Sequence, residues 1–203
     1  MLAALAEYAD ERERIVVLED TPELALSQEH ALYLRTRLRD ASGRSYVTLR
    51  DLVVNTLRMR PDRIVVGETR GPEAADMLQA MNVGSEGMLT TLHANSAREA
   101  VTRLETLALQ AGIDMPLKAI RSNIATAVDF IVFLARMGDG SRKIMQVAEL
   151  TGMELDMISM SDLFLMDGPH GGAALKPSGR IPRFYDLLRE RGVEPPMDFF
   201  RSN

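Results

Sequence analysis

Three apolar runs, each closed by a side chain able to act on a phosphate or on water, constrain this chain more than any other feature. They are Ile15-Val-Val-Leu-Glu-Asp20, Arg63-Ile-Val-Val-Gly-Glu68 and Gly87-Met-Leu-Thr-Thr-Leu-His93. Ile15 to Leu18 is apolar at every position rather than at alternate ones. Such a strand is buried on both faces, the condition of a parallel sheet sandwiched by helices. Helical periods separate the runs, so the pattern predicts an α/β fold with a sheet that is at least partly parallel.

The intervening residues support that reading. Residues 2–9 have the pattern of the tail of a helix. A weak strand is expected at Ser45–Thr48, after which Thr48 can cap a helix with apolar positions Leu49, Leu52, Val53, Thr56 and Leu57. Pro72 suits a helix start, with Met77, Leu78 and Met81 as its stripe and Gly84 as its stop. Ser96-Ala-Arg-Glu99 is a capping-box pattern for a helix reaching about Gln110, and Gly112 ends it. A further helix is expected from Pro116 to about Thr126. Phe130–Ala135 and Lys143–Leu150 read as a hairpin about Gly138-Asp-Gly140. Residues 1–150 form one expected domain, and 151–203 an extension of mixed strand, turn and helix. Within the extension, Leu155–Met166 is apolar without a clear period, and Gly168 to Gly172 and Pro177 to Gly179 mark turns. A short helix is expected at Arg183–Arg191. Met153, Met157, Met160 and Met166 are read as pliant packing.

At 203 residues and 46% hydrophobic, the chain is long enough for a sizeable core. The longest apolar stretch, Ile124 to Ala135, is broken by Asp129 and too short to span a bilayer. Glu7, Asp10, Glu11 and Arg12 interrupt any signal-peptide pattern, which makes a cytoplasmic location the expectation. There is no cysteine, which excludes disulfides and thiolate metal sites. A net charge of −5 disfavours a general nucleic-acid binder. Against that balance, residues 35–70 hold nine arginines and four acids. The segment suits either an anionic partner such as a nucleotide phosphate or a solvated face of surface ion pairs.

In open α/β sheets ligands bind beyond the carboxyl ends of the strands. Glu19, Asp20, Glu68 and His93 all stand where a strand gives way to a loop, so one site could gather them. Hydrolysis of a phosphoanhydride needs a metal to offset charge, a group to orient water and cations to meet the transferring phosphoryl. What the sequence lacks is a phosphate loop ending in Gly-Lys-Ser/Thr: the three lysines are Lys118, Lys143 and Lys176, and none follows a glycine. His30 and His170 have no spacing that suggests a zinc site. The stretch Gln28-Glu29-His30 is expected to begin a helix or loop that delivers Arg35 and Arg37.

The three runs in this order resemble the C-terminal motor domain of the type II/IV secretion ATPase superfamily, with closest likeness to the assembly ATPases of tight-adherence (Flp) pili. Leu18-Glu-Asp-Thr-Pro-Glu-Leu24 resembles that family's Asp box, Met59 to Gly71 its Walker B segment, and Gly87 to Ser96 its His box. Asp76 to Asn82, Gly138 to Arg142 and Glu149 to Glu154 fit as well. The likeness covers roughly residues 1–165 and, more loosely, extends to about 190.

The resemblance implies a RecA-like P-loop NTPase core, a ring-shaped homo-hexamer, ATP with Mg2+, and work delivered to an inner-membrane pilus or secretion platform protein, while the acidic charge balance argues against direct nucleic-acid contact. By position, Glu19 and Asp20 would hold the water shell of magnesium. Glu19 and Glu68 would share the activation and positioning of the attacking water, in a division left open. His93 would sense the terminal phosphate. Arg35, Arg37, Arg58 and Arg60 would reach phosphates, some across a subunit boundary, while Arg70 has a structural alternative. Thr69 stands where the family has valine or a similar residue, a mild departure. The missing Walker A loop is the serious one: residues 2–9 match the helix that follows it, so Met1 is expected to stand at or just after the lysine-threonine step, in a fragment or a reading frame begun at an internal methionine. The isolated chain is then expected to be inactive. Two alternatives stand beside this reading: a non-enzymatic subunit that docks into a ring of full-length partners, and a motor for conjugation-type export of DNA or protein.

Overall fold

The computed structural model describes residues 1–38, 46–84, 87–168 and 174–201. Arg39, Arg44, Ser45 and His170 therefore lie outside the described residues. The chain divides into two compact units. One contains residues 1–93 and 103–123, the other 94–102 and 124–203. The expected boundary at residue 150 falls inside a continuous strand of the second unit.

The first unit is built on a four-stranded parallel sheet of β1 (Ile15–Glu19), β2 (Ala31–Arg35), β3 (Arg63–Val66) and β4 (Leu89–Thr90), in the order β2-β1-β3-β4. Ile15, Val16, Val17 and Leu18 are each fully buried, as are Val65 and Val66. Burial of each such side chain contributes roughly 1.5–3 kcal/mol relative to exposure. Helix α1 (Leu2–Ala6) sets Leu2 and Ala6 against Ile15, Val17 and Val65. Helix α2 (Leu49–Thr56) opens on a complete capping box, with Thr48 Oγ1 accepting from the Asp51 N–H at 3.0 Å and Asp51 Oδ2 from the Thr48 N–H at 2.8 Å. The Thr48 hydroxyl, which donates to Asp51 Oδ2 at 2.6 Å, and then the Thr48 N–H hold the Asp51 carboxyl below its ordinary range. Helix α3 (Glu73–Asn82) follows Pro72, and Met77 and Leu78 form its buried stripe.

Two strands depart from the sequence reading here. Of the helix or loop expected from residues 28–30, the loop is found, and it leads into a strand that was not expected, β2 (Ala31–Arg35), half buried at the sheet edge. In the third apolar run, Gly87 to His93, the strand β4 is only two residues long, with ladder pairing at Leu89 and Thr90 alone. Nearby, the weak strand expected at Ser45–Thr48 is, in its described part, a single bridge between Arg37 and Val47.

Helices α4 (Ala97–Gln110) and α5 (Leu117–Ala127) have residues in both units. At the start of α4, the Glu99 N–H donates to Ser96 Oγ at 3.0 Å, but Glu99 Oε2 accepts from Asn95 rather than from Ser96, so the box is half formed.

The second unit carries an antiparallel sheet of β5 (Phe130–Arg136), β6 (Arg142–Glu154), β7 (Met157–Met166) and β8 (Leu175–Pro177). The β5–β6 hairpin turns as expected, with Asp139 Oδ1 accepting from the Ser141 N–H and hydroxyl. The irregular stretch after residue 155 is itself a strand, β7. Its pairing with β6 shifts register at Val147/Ala148 and again between Leu150 and Gly152, which hides the alternation in the sequence. Helix α6 (Phe184–Glu190) closes the unit, and Tyr185 packs with Leu163 and Phe200. Met157 is 60% exposed and so does not serve as packing.

Candidate functional site at the carboxyl end of the parallel sheet

Because β1 to β4 are parallel, the loops after residues 19, 35, 66 and 90 all leave from one end of the sheet. Glu19 is the last residue of β1 and is 3% exposed. Its Oε1 accepts the backbone N–H groups of Glu23 and Leu24, each at 2.9 Å. One carboxylate oxygen thereby fixes the Asp-box loop against the strand that leads into it. Gly67 follows β3 beside it: a Cβ there would stand 3.2 Å from Glu19 Cγ, so any larger residue would press on the Glu19 side chain. Asp20, next along, is ion-paired with Arg70.

Glu68 and His93 are also brought together. His93 Nε2 lies 3.6 Å from Glu68 Oε1, and the imidazole is 92% exposed. Arg35 is in register with Glu19 across the β1–β2 ladder, and Arg37 lies two residues further on; both are exposed.

Arg58 and Arg60 are placed elsewhere. They lie in the link from α2 to the start of β3, where Arg14, just before β1, donates to the Met59 carbonyl at 3.1 Å. That is the amino end of the sheet. A four-residue strand separates the two ends by about 13 Å, so within one chain these arginines do not join Glu19, Glu68 and His93. Arg60 has φ 52°, an unusual backbone for a residue followed by proline. The rest of the arginine-rich segment divides as well. Arg50 pairs with Asp76 at 2.6 Å and Arg63 with Glu13 at 2.7 Å, so the reading as surface ion pairs holds for part of it.

Several supporting residues were not singled out from the sequence. Glu73, 5% exposed in the first turn of α3, accepts the N–H groups of both Arg70 and Gly71 at 2.8 Å. Gly71 allows this, since a Cβ there would come within 2.8 Å of Glu73 Oε2. Thr69 is 1% exposed, and its hydroxyl lies 2.7 Å from that of Thr90. The Thr69 N–H donates to the Thr91 carbonyl at 2.9 Å, and Thr91 Oγ1 donates to the Gly67 carbonyl at 2.5 Å. Glutamate just after Gly-Pro, and threonine paired across neighbouring strand ends, were the available signals.

The site is thus an exposed edge of oxygen donors and one imidazole, on loops pinned by buried carboxylates. Among the described residues no three His, Cys, Asp or Glu side chains cluster as a closed metal cage. Hard carboxylate oxygens of this kind instead suit a cation that keeps much of its water shell.

Comparison with known proteins identifies the family and the fold. The family model described as type II/IV secretion system protein matches residues 1–158. A Mycobacterium tuberculosis protein named for conjugal transfer is 42% identical over 154 residues, covering 76% of this chain and 43% of its own length. The conjugal transfer protein TrbB of Rhizobium radiobacter is 38% identical over 140 residues, covering 69% of this chain and 40% of its own. The crystal structure of the VirB11 ATPase from the Brucella suis type IV secretion system, in complex with sulphate, superposes with a TM-score of 0.64 at 31% identity, over 72% of this chain and 43% of that one. This chain spans about two fifths of the length of these proteins. Its α/β core is RecA-like, as is that of the VirB11 ATPase, and the chain belongs to the type II/IV secretion system protein family.

Proposed function

We propose that this chain is the catalytic-side half of a secretion motor that hydrolyses ATP and passes the work to an inner-membrane platform protein. The observation that carries this reading is the convergence of Glu19, Asp20, Glu68 and His93 at the carboxyl end of one parallel sheet. Magnesium, when bound with the nucleotide, would neutralise phosphate charge. Glu19 and Asp20 would hold its water shell, Asp20 by exchanging Arg70 for the hydrated cation. Glu68 would orient the attacking water, and His93, exposed and only loosely paired, would follow the terminal phosphate. Arg35 and Arg37 would meet phosphates in the same chain. Arg58 and Arg60, at the other end of the sheet, could do so only from a neighbouring copy, which fits a homo-hexamer.

The 203 residues contain no Gly-Lys-Thr loop, so this segment alone should grip ATP poorly. Attachment to the platform would be peripheral, on the cytoplasmic side; among the described residues, no helix is long and apolar enough to cross a membrane. The cargo has two readings: pilin assembly of the tight-adherence type, and conjugation-type export. The relatives named for conjugal transfer favour the second.

The test is steady-state ATP hydrolysis by the longer protein that carries this segment together with a phosphate loop, alongside the 203-residue chain. Turnover by the longer protein that falls in Glu68→Gln, with none by the chain alone, is the expected pattern. A longer protein without turnover would remove the motor reading. Robust turnover by the chain alone would overturn its dependence on the phosphate loop. Loss of DNA transfer or of pili in a strain deleted for the longer protein decides the cargo.

A further inference from the structure

Glu68 stands between two peptide planes, and one residue of the neighbouring loop holds both. The Thr91 hydroxyl donates to the Gly67 carbonyl at 2.5 Å, which fixes the plane before Glu68. The Thr91 carbonyl accepts the Thr69 N–H at 2.9 Å, which fixes the plane after it. A peptide unit is rigid, so the chain turns only about φ and ψ at each Cα. Holding the planes on both sides of Glu68 therefore sets both of its backbone angles, and with them the direction of its Cα–Cβ bond. One plane further back, the Gly67 N–H donates to the Leu18 carbonyl at 2.8 Å, so the series of three starts from β1.

The aim of this carboxylate depends on such tethers. Gly67 has no side chain, and glycine restrains its own backbone least of all residues. The Glu68 side chain is 36% exposed, and its 3.6 Å contact with His93 is too long to hold a carboxylate in place. Stability does not account for the Thr91 hydroxyl equally well. Thr91 is exposed, and water would serve both its hydroxyl and a loop carbonyl at little net cost. What water would not supply is a fixed direction for the peptide between Gly67 and Glu68.

We propose that Thr91 is a positioning residue for Glu68: its hydroxyl sets the peptide before the acid so that the carboxylate faces the attacking water. This rests on the reading of Glu68 as the group that orients that water. A displacement of about 1 Å at a reacting group costs up to about a hundredfold in rate. Thr91→Val keeps the shape and the main-chain bond but removes the hydroxyl, so it should lower kcat by about tenfold to a hundredfold. The hydroxyl is spent on a carbonyl and not on nucleotide, so KM for ATP should stay close to that of the parent. Thr91→Ser retains the donor and should recover most of the lost kcat.

The test is steady-state ATP hydrolysis by the longer protein that carries this segment together with a phosphate loop, in the parent, Thr91→Val, Thr91→Ser, Glu68→Gln and the double variant Glu68→Gln/Thr91→Val. Thr91→Ala takes the place of Thr91→Val if the latter fails to fold. A residue that acts only through Glu68 has nothing left to position once the carboxylate is gone, so the double variant should be no slower than Glu68→Gln. Normal kcat in Thr91→Val, a loss confined to KM, a Thr91→Ser protein as slow as Thr91→Val, or a double variant slowed by the full Thr91→Val factor would each overturn the proposal while Glu68→Gln remains slow. Normal turnover in Glu68→Gln would instead remove Glu68 from the chemistry, and this role of Thr91 with it.

Discussion

His93 Nε2 lies 3.6 Å from Oε1 of Glu68, beyond an ordinary hydrogen bond, and the ring is almost wholly exposed. So loose a pair leaves the imidazole free to turn towards a ligand without breaking a strong contact. In the longer protein, His93→Ala and Glu68→Gln should each lower ATP turnover at least about tenfold, the lower part of the range for a positioned acid-base group. Steady-state kinetics at saturating ATP measures this, and normal turnover in either variant removes that residue from the machinery.

Glu73 should matter more to folding than its place outside the expected site suggests. Its buried carboxylate satisfies two consecutive amides, so Glu73→Ala should cost about 1.5–3 kcal/mol. Glu73→Gln keeps an acceptor oxygen and should cost less. Urea unfolding of the 203-residue chain checks both, and an unchanged midpoint in Glu73→Ala would refute the role.

Thr69→Val restores the aliphatic character that the family resemblance leads one to expect. The change deletes the bond to Thr90, but the Thr90 hydroxyl retains a second acceptor in the Thr91 carbonyl at 3.3 Å. Stability should therefore shift by no more than about 1 kcal/mol. A larger loss on thermal melting would show that the threonine pair itself holds the two loops.

The second unit should respond to pH through Glu149. Burial pushes this carboxyl above its ordinary 4.5, against the opposing pull of the Arg183 N–H and charge, and Asp129 adds like-charge repulsion. A raised carboxyl favours the folded state while protonated. Its contribution is complete below pH 4.5 and disappears as pH rises through the shifted value. Glu149→Gln keeps an acceptor for the Arg183 N–H, now bound at 2.7 Å. It should therefore raise the melting temperature at neutral pH and flatten the profile above pH 4.5. A variant that melts lower than the parent at neutral pH would reverse the sign.

The parallel core was legible because Ile15–Leu18 and Ile64–Val66 are apolar without alternation, and a doubly covered strand needs just that. β2 was not, because it follows the polar Ser27 to His30 and lies half buried at an edge, where Ala31 to Arg35 need not be uniformly apolar. β7 was obscured by serines, an aspartate and two register shifts. In the site, the acids and His93 were readable from their places at strand ends. The placing of Arg58 and Arg60 at the far end of β3 from Glu68 was not legible, because the resemblance named them without saying which end of the strand they occupy. The stapling by Glu73 was invisible, since a glutamate in a first helical turn ordinarily signals only a favourable dipole.

The three hydrogen bonds among Gly67, Thr69, Thr90 and Thr91 join the loop that carries Glu68 to the one that carries His93. The backbone that carries Glu68 and the backbone that carries His93 are thereby tied to each other where both leave the β3–β4 ladder, so the spacing of the two side chains is set by this tie and not by their own weak contact.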